Sequence, residues 1–216
     1  MYKIGMISLG CPKNQVDAEH MLYNLREEGY EIIADAALAD VVVVNTCGFI
    51  ESAKQEAIET ILEFCTLKEE GRIKAVIVTG CLAERYREEI KTEIPEVDAV
   101  IGIGSNELLG TVIKKVLSGE GDICTFGDKY AIIIGGRRII STENYAYLKI
   151  AEGCDNCCTY CAIPSIRGRF RSRKMEDIIA EAKDLAEKGV VEINVVAQDT
   201  TRYGQDIYGK LMLAEL

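Results

Sequence analysis

The sequence predicts an α/β protein in which a parallel sheet with helices on both faces is followed by the first part of a (β/α) barrel. Short apolar runs alternate with amphipathic segments from Tyr2 to Leu117. The runs are rich in β-branched residues and are apolar on both faces, which is typical of parallel strands covered by helices. After Tyr145 the strand–helix–strand pattern occurs again. This second occurrence predicts a βαβ unit that begins another sheet.

The elements of the first region follow from these patterns in chain order. The predicted strands are 3–9, 30–34, 41–45, 74–79 and 99–103, and the predicted helices are 14–28, 52–69, 82–92 and 106–117. Ser52 and Gln55 fit a capping box at the start of the second helix. Gly29 and Gly71 fit helix ends. We therefore expect a first domain over residues 1–118.

The rest of the chain is predicted to form a linker and an incomplete second domain. Residues 119–142 contain short strand-like runs and the pair Gly135-Gly136, which indicate a linker or hairpin. From 143 to 216 we predict strands at 145–150 and 191–197, a helix at 176–188, and the start of another helix at 211–216. A closed (β/α) barrel takes about 250 residues. We therefore expect the barrel to be unfinished in this chain.

Composition excludes several classes of protein. The 216 residues are 48% hydrophobic with a net charge of −10, which suits a globular chain and disfavours a surface that follows nucleic-acid phosphates. No apolar run is long enough to span a bilayer or form a signal-peptide core. The only histidine is His20, which argues against a histidine-based triad. We expect a cytoplasmic protein with no membrane partner.

A cysteine loop after residue 150 predicts an iron–sulfur site. Cys154, Cys158 and Cys161 have the spacing C-x3-C-x2-C. Three thiolates on one loop can hold three irons of a [4Fe–4S] cluster and leave the fourth iron open for a small molecule. Cys157 also divides the loop into two C-x2-C pairs, so zinc is an alternative. Back-to-back pairs lack the segment that usually separates the halves of a zinc site, and Cys157 is therefore interpreted as a bystander thiol.

Three further cysteines predict a second site in the first domain. Cys11, Cys47 and Cys81 each follow a predicted strand and precede a predicted helix. The carboxyl ends of parallel strands lie at one edge of a sheet, where ligands bind and helix N-termini favour anions. We therefore predict a second three-thiolate cluster with an open iron. The alternative is that each cysteine only fills a small space, which is our interpretation of Cys65 and Cys124.

A basic run follows the cysteine loop and includes Arg167, Arg169, Arg171, Arg173 and Lys174. One interpretation is a solvated basic face. The other is that these side chains neutralise a cluster, a cofactor or an acidic group of a substrate.

These motifs together resemble one enzyme family. The two cysteine sets, with an aromatic residue before Cys161, resemble the radical S-adenosylmethionine (SAM) methylthiotransferases. The runs 10–17, 158–164, 166–168 and 197–204 resemble the RimO-type branch, which modifies an aspartate of the twelfth small-subunit ribosomal protein. The chain differs from this pattern at Cys157, at Ala18, and in stopping before the rest of the barrel and the TRAM domain of such enzymes.

The resemblance implies how the sites work. SAM would bind the cluster of Cys154, Cys158 and Cys161 and be cleaved reductively, and the resulting radical would remove a hydrogen atom from the substrate. The cluster of Cys11, Cys47 and Cys81 would carry the sulfur that is methylated and transferred. Similar enzymes need an external electron donor and a sulfur source. The further candidates for contact with SAM or substrate are Tyr160, Gln198, Asp199 and Arg167, and no catalytic side chain is predicted.

Besides a zinc-stabilised interaction module built on the second cysteine loop, two other functions stay open from the sequence. One is a tRNA-modifying, MiaB-type methylthiotransferase, although this chain lacks the Gln-Met-Asn run and the asparagine-containing run usual in that branch. The other is a two-cluster electron carrier without turnover, which would usually complete each cluster with a fourth cysteine. Because the barrel is expected to be incomplete, we also predict that the 216-residue chain alone does not modify the ribosomal protein.

Overall fold

The computed structural model describes residues 1–130, 136, 138–139, 142 and 144–216. It divides into two compact units, Met1–Lys129 and Tyr130–Leu216. Within the described ranges, no helix combines the length and the apolar composition needed to cross a membrane.

The first unit alternates strands and helices along the chain. Its elements are β1 (Lys3–Ser8), α1 (Pro12–Glu27), β2 (Glu31–Ile33), β3 (Val41–Thr46), α2 (Glu51–Glu69), β4 (Ala75–Gly80), α3 (Cys81–Arg85), α4 (Arg87–Glu93), β5 (Ala99–Ile101), α5 (Leu109–Leu117) and β6 (Ile123–Thr125). The strands form one sheet in the order β2-β1-β3-β4-β5-β6. Every neighbouring pair is parallel. The predicted α/β class is confirmed.

Both faces of this sheet are covered by helices, as the apolar runs predicted. Alternate residues of a strand point to opposite faces. Val42 and Val44 pack in a core cluster with Ile61 of α2, whereas Val41 and Val43 lie in a second cluster with residues of α1 and α5. Because β3 has both faces buried, its core carries the continuous apolar run seen in the sequence.

Several local predictions about helix ends can be compared with the structure. Gly29 and Gly71 follow α1 and α2 with φ of +91° and +72°, so both helix ends are confirmed. The capping box is wrong, because α2 begins at Glu51 and its N-cap, Ile50, makes no side-chain cap hydrogen bond. The predicted helix 82–92 is divided into α3 and α4 at Tyr86, whose non-helical backbone lets the ring pack against the core beside α2.

The first sheet also extends beyond the last predicted strand. Strand β6 lies in the stretch 119–142 and pairs in parallel with β5. In that stretch residues 131–135, 137, 140 and 141 lie outside the described residues, and they include Gly135 of the predicted hairpin.

The second unit begins a new parallel sheet. Its elements are β7 (Tyr145–Lys149), β8 (Ala151–Glu152), α6 (Ile163–Arg167), β9 (Arg171–Ser172), α7 (Met175–Glu187), β10 (Glu192–Val196) and α8 (Gln205–Tyr208). Strands β7 and β10 are parallel and are connected through α7, so the predicted βαβ unit is present. Ala146, Leu148, Ile178 and Leu185 form its core.

The predicted helix at 211–216 is wrong. These residues form turns, and their only i,i+4 backbone hydrogen bond joins the Leu216 N–H to the Met212 carbonyl at 3.0 Å. A single helical turn does not repay the cost of nucleating a helix.

Candidate iron–sulfur and SAM sites

The structure places Cys11, Cys47 and Cys81 at the carboxyl ends of three neighbouring parallel strands. Cys11 follows β1, Cys47 follows β3, and Cys81 is the first residue after β4. Ser8 is paired with Asn45 and Thr46 with Gly80, so the three cysteines lie at successive positions across one edge of the sheet. The predicted convergence on one sheet edge is therefore present in the backbone.

The loops that carry these cysteines approach each other closely. A Cβ atom at Gly10, whose φ is +94°, would lie 2.5 Å from Cβ and 3.0 Å from Sγ of Cys47. A Cβ atom at Gly48 would lie 2.8 Å from Cα of Leu82, the residue after Cys81. The separations of 2.5 Å at Gly10 and 2.8 Å at Gly48 are too short for a real Cβ atom. Glycine at these positions lets the first loop reach the second, and the second reach the third.

Asn14 connects the three strand ends from within α1. Its side chain is 1% exposed. The side-chain Nδ2 donates hydrogen bonds to the carbonyls of Leu9 at 3.0 Å and Thr46 at 2.7 Å. Its Oδ1 lies 3.7 Å from Sγ of Cys81. One side chain thus contacts the segment before Cys11, the residue before Cys47, and Cys81 itself.

The N-terminus of α1 also suits an anionic ligand. Cys11 is the N-cap and makes no side-chain cap hydrogen bond, and the first turn of α1 has no acidic residue. The positive end of the helix dipole therefore lies at Cys11, where it stabilises negative charge.

The thiols are positioned at one edge but are not arranged around a metal. None of the nine cysteines, all of which lie among the described residues, forms a disulfide. Among the residues that the structure describes, no group of three or more Cys, His, Asp or Glu side chains is placed to hold a metal ion. The fit to a cluster therefore rests on the donor set, three thiols, and on the loops that bring them to one edge.

The second cysteine loop leaves β8 and is held by its own backbone. Cys154 is buried, and its N–H donates to the Gly168 carbonyl at 3.1 Å. The N–H of Asn156 donates to Sγ of Cys154 at 3.4 Å, an interaction that stabilises a thiolate. Cys158 is exposed and Cys161 half-buried, with the Cys161 N–H donating to the Cys158 carbonyl at 3.0 Å. The loop therefore carries one buried, one exposed and one half-buried cysteine.

Cys157 lies on the outer side of the same loop. It is exposed, and its thiol contacts the Asp155 carbonyl at 3.5 Å. This contact is local and does not join Cys157 to another cysteine, which is consistent with its interpretation as a bystander.

A buried group of charges joins the two ends of the loop. The carboxylate of Glu152 lies 3.1 Å from Nζ of Lys149 and 2.8 Å from the guanidinium of Arg167, and all three side chains are buried. Glu152 also accepts a hydrogen bond from the N–H of Gly153 at 3.1 Å. Burial alone would raise the pKa of Glu152, but Arg167 and Lys149 together lower the pKa below its ordinary value.

The basic run is distributed over different environments, so its interpretation as one solvated face is wrong. Arg173 is buried and lies 2.7 Å from the carboxylate of Glu181. Arg169 is exposed and pairs with Asp155 at 3.5 Å. Arg171 lies over the ring of Tyr130. The physical reason is that buried Glu152 and Glu181 require cationic partners, which the periodicity of the run does not reveal.

The other predicted contact residues lie at the exposed side of the second unit. Tyr160 is 85% exposed. Gln198 is half-buried at the carboxyl end of β10. Asp199 accepts from the side chain of Asn156 at 2.9 Å and from the hydroxyl of Thr201 at 2.6 Å. The hydrogen bonds from Thr201 and Asn156 lower the pKa of Asp199.

Sequence reasoning missed three side chains that support these sites. Asn14, Asn156 and Glu152 all lie within three residues of a predicted ligand. Asn14 and Asn156 were visible as short polar residues beside cysteines, but their hydrogen-bond partners are distant in the sequence.

The remaining cysteines lie outside both sets. Cys65 is buried in α2, and burial raises its pKa to about 11. Cys124 is exposed in β6. Neither environment favours a thiolate ligand.

Two protein-family models match different parts of the chain. Residues 3–102 match the model of the uncharacterized protein family UPF0004, and residues 148–216 match that of the radical SAM superfamily. Each match contains one of the two cysteine sets.

Curated relatives are similar over the whole chain. The ribosomal protein uS12 methylthiotransferase RimO of Clostridioides difficile is 57% identical over 218 aligned positions, which cover 100% of this chain and 49% of the relative. Proteins of the same name from Thermoanaerobacter sp. and Pelotomaculum thermopropionicum are each 52% identical, covering 100% and 99% of this chain and 50% and 48% of those relatives. The chain spans about half the length of the curated relatives it matches. The chain is therefore a homologue of the proteins named ribosomal protein uS12 methylthiotransferase RimO, with a UPF0004 match in its first unit and a radical SAM match in its second.

Proposed function

We propose that this chain carries the sulfur-transfer and SAM sites of a methylthiotransferase that acts on an aspartate side chain of ribosomal protein uS12. The observation that carries the proposal is the pair of three-cysteine sets, one at three adjacent strand ends and one on a single loop before a parallel βαβ unit. The proposed substrate comes from the name of the similar proteins, ribosomal protein uS12 methylthiotransferase.

The first site would be a [4Fe–4S] cluster on Cys11, Cys47 and Cys81. Its fit is supported by the thiol donor set, by the close approach of the loops at Gly10, and by the positive end of α1 at Cys11. With three protein ligands the cluster has one open iron. In the proposed function this site holds the sulfur that is transferred.

The second site would be a [4Fe–4S] cluster on Cys154, Cys158 and Cys161, and its open iron would bind SAM. When bound, the cluster and SAM would supply the radical that removes a hydrogen atom from the substrate. The protein holds this loop by the Glu152–Arg167 pair at its base and by the contact of Asn156 with Asp199. Tyr160 is exposed on the loop, where its ring is accessible to SAM.

The roles of the remaining contact residues follow from their surroundings. Gln198 and Asp199 follow the carboxyl end of β10, where (β/α) enzymes place functional groups. Arg167 is buried and paired with Glu152, and in this proposal it holds the loop instead of contacting SAM. An external electron donor and a sulfur source complete the proposed reaction, which we place in the cytoplasm.

Metal analysis tests the two sites. The full chain is reconstituted anaerobically with iron and sulfide, and its metal content, electron paramagnetic resonance spectrum and SAM cleavage are measured. The proposal requires about eight irons and eight sulfides per chain, as two four-iron clusters demand. One zinc per chain without sulfide would overturn it. Two clusters without SAM cleavage would favour the electron carrier.

A chimera tests the substrate. The matching part of the C. difficile relative is exchanged for this chain, and the purified chimera is offered a uS12 peptide and, separately, tRNA. A methylthio adduct on the peptide aspartate is the expected product. An adduct on tRNA alone would replace this substrate with that of the MiaB-type branch. The matched control is the same chimera with Cys81→Ala.

A further inference from the structure

We propose that Asn14 is the positioning residue that holds the Cys11 and Cys47 loops against each other for cluster binding and, in the metal-free chain, orients the thiol of Cys81 beside them. The inference rests on the proposed function of Cys11, Cys47 and Cys81 and adds to it a side chain that is not a ligand.

The argument begins with how the three loops are connected. Cys11, Cys47 and Cys81 come from loops that are 36 and 34 residues apart in the sequence (47 − 11 and 81 − 47), so tertiary contacts must fix their relative positions. The Nδ2 group of Asn14 donates to the carbonyl of Leu9, two residues before Cys11, and to the carbonyl of Thr46, the residue before Cys47. These two bonds fix the backbone of the first two loops against each other.

The third loop is reached through the other side-chain atom. The Oδ1 atom of Asn14 lies 3.7 Å from Sγ of Cys81. Since Nδ2 already donates to two carbonyls, the amide cannot turn over without losing both hydrogen bonds. Asn14 therefore holds one orientation, in which its Oδ1 accepts a hydrogen bond from the Cys81 thiol of the metal-free chain. A thiolate ligand has no proton to donate, so once iron is bound the two hydrogen bonds from Nδ2 to the carbonyls of Leu9 and Thr46 hold the loops.

A second asparagine holds Asn14 in place. The Nδ2 group of Asn45 donates to the Asn14 backbone carbonyl at 2.8 Å and to the hydroxyl of Ser8 at 3.2 Å. Asn45 lies in β3, one residue before Thr46, and is 1% exposed. The first turn of α1 is thus bonded to β1 and β3 by buried side chains on both sides.

A residue that positions metal ligands without binding the metal itself is expected to affect metal affinity strongly. Groups that orient metal ligands without touching the metal typically change affinity by about 10–100-fold when they are removed. An asparagine that only stabilised the fold would change the fraction of folded chains, but it would leave the cluster of each folded chain unchanged.

The test isolates the first site in the full chain. Cys154, Cys158 and Cys161 are changed to Ser, so that bound iron reports on the first set. Asn14→Ala and Asn14→Asp are then introduced and reconstituted with iron and sulfide. The measurements are iron per folded chain, affinity by chelator competition, and the electron paramagnetic resonance spectrum. Both variants should lose about tenfold or more in affinity and alter the spectrum.

Two controls separate positioning from stability. Asn24→Asp changes an exposed asparagine on the same helix, and Ile61→Val weakens the core of the same unit away from the loops. Both should keep the parental iron content and spectrum. If Asn14→Ala keeps them as well, the inference is overturned, even if Asn14→Asp fails through charge repulsion. If the parent protein binds no iron, the proposed first site fails together with this inference.

Discussion

The guanidinium of Arg167 lies 2.8 Å from the carboxylate of Glu152, and this buried ion pair joins the residues on either side of the second cysteine loop. Lys149 contacts the same carboxylate at 3.1 Å. Two cations therefore share one anion within the protein. The loop that carries Cys154, Cys158 and Cys161 therefore lies between the residues of this buried charged group in the sequence.

Removal of the shared anion should destabilise the second unit. Glu152→Gln leaves Lys149 and Arg167 buried without a negative partner, and we expect a loss of about 3–5 kcal/mol in the free energy of unfolding. Urea unfolding of the metal-free chain measures the change. Glu187→Gln, an exposed substitution in α7, is the matched control. A loss below about 1 kcal/mol would show that water or a shift in structure compensates the cations.

The carboxylate of Glu152 should make the free energy of unfolding depend on pH in the acidic range. The Glu152 pKa is below its ordinary value of 4.5 in the folded chain, so its stabilising contribution is complete above that value. The contribution is lost as the pH falls through the folded pKa. The difference in unfolding free energy between the parent and Glu152→Gln should therefore be constant near neutral pH and shrink below 4.5. If the difference in unfolding free energy increased below pH 4.5, it would contradict a lowered pKa for Glu152.

Substitutions in the two cysteine sets should abolish different steps of the proposed reaction. Cys81→Ala should leave SAM cleavage largely intact, because the loop that would bind SAM belongs to the second unit, while methylthio transfer is lost in the chimera. Cys158→Ala should abolish cleavage itself. Loss of cleavage in a folded Cys81→Ala protein that keeps its second cluster would refute this division. We expect Cys11→Ala and Cys47→Ala to behave like Cys81→Ala.

Cys157 should be dispensable for metal binding. Its thiol is exposed and contacts only the nearby carbonyl of Asp155 among the contacts described for it. Cys157→Ala should retain the iron and sulfide content of the parent chain. Loss of about four irons in this variant would make Cys157 a ligand.

The contact between Asn156 and Asp199 should limit motion of the cysteine loop. Asn156→Ala removes the 2.9 Å hydrogen bond to the carboxylate but leaves the bonds between Asp199 and Thr201. We expect faster amide hydrogen exchange across the loop and little change in global stability. Asn194→Ala removes a similar exposed hydrogen bond, to Glu192, and serves as the control. Equal exchange in the two variants would assign no role to the Asn156 contact.

Patterns local to the sequence predicted strands β1 to β5, β7 and β10 and the positions of the cysteines, but not β8, β9 or the addition of β6 to the first sheet. The run Val41–Val44 is apolar on both faces, and a strand of this kind is stable only between two layers of helices. Since parallel strands end at the same edge, residues that follow such strands must lie together. The sequence alone therefore predicts that Cys11, Cys47 and Cys81 lie at one edge of the sheet, and the structure places them there.

Boundaries were less predictable where tertiary packing overrides local propensity. The break at Tyr86 between α3 and α4 depends on the core beneath the ring, and the start of α2 at Glu51 bypasses the capping box. Strand β6 pairs in parallel with β5, whereas the strand-like runs within 119–142 indicated only a linker or hairpin.

The sequence by itself therefore determined the α/β class and the two cysteine sets, because both depend on periodicity and spacing along the chain. Only the tertiary structure decided which polar side chains support them. The side chain of Asn14 donates to the carbonyl of Thr46, which is 32 residues away in the sequence. The guanidinium of Arg167 pairs with Glu152, which lies 15 residues earlier. Such pairs form because a buried amide or charged group is stable only with a hydrogen-bond or ionic partner. The fold decides which residue becomes that partner, and the spacing of residues along the sequence does not show it.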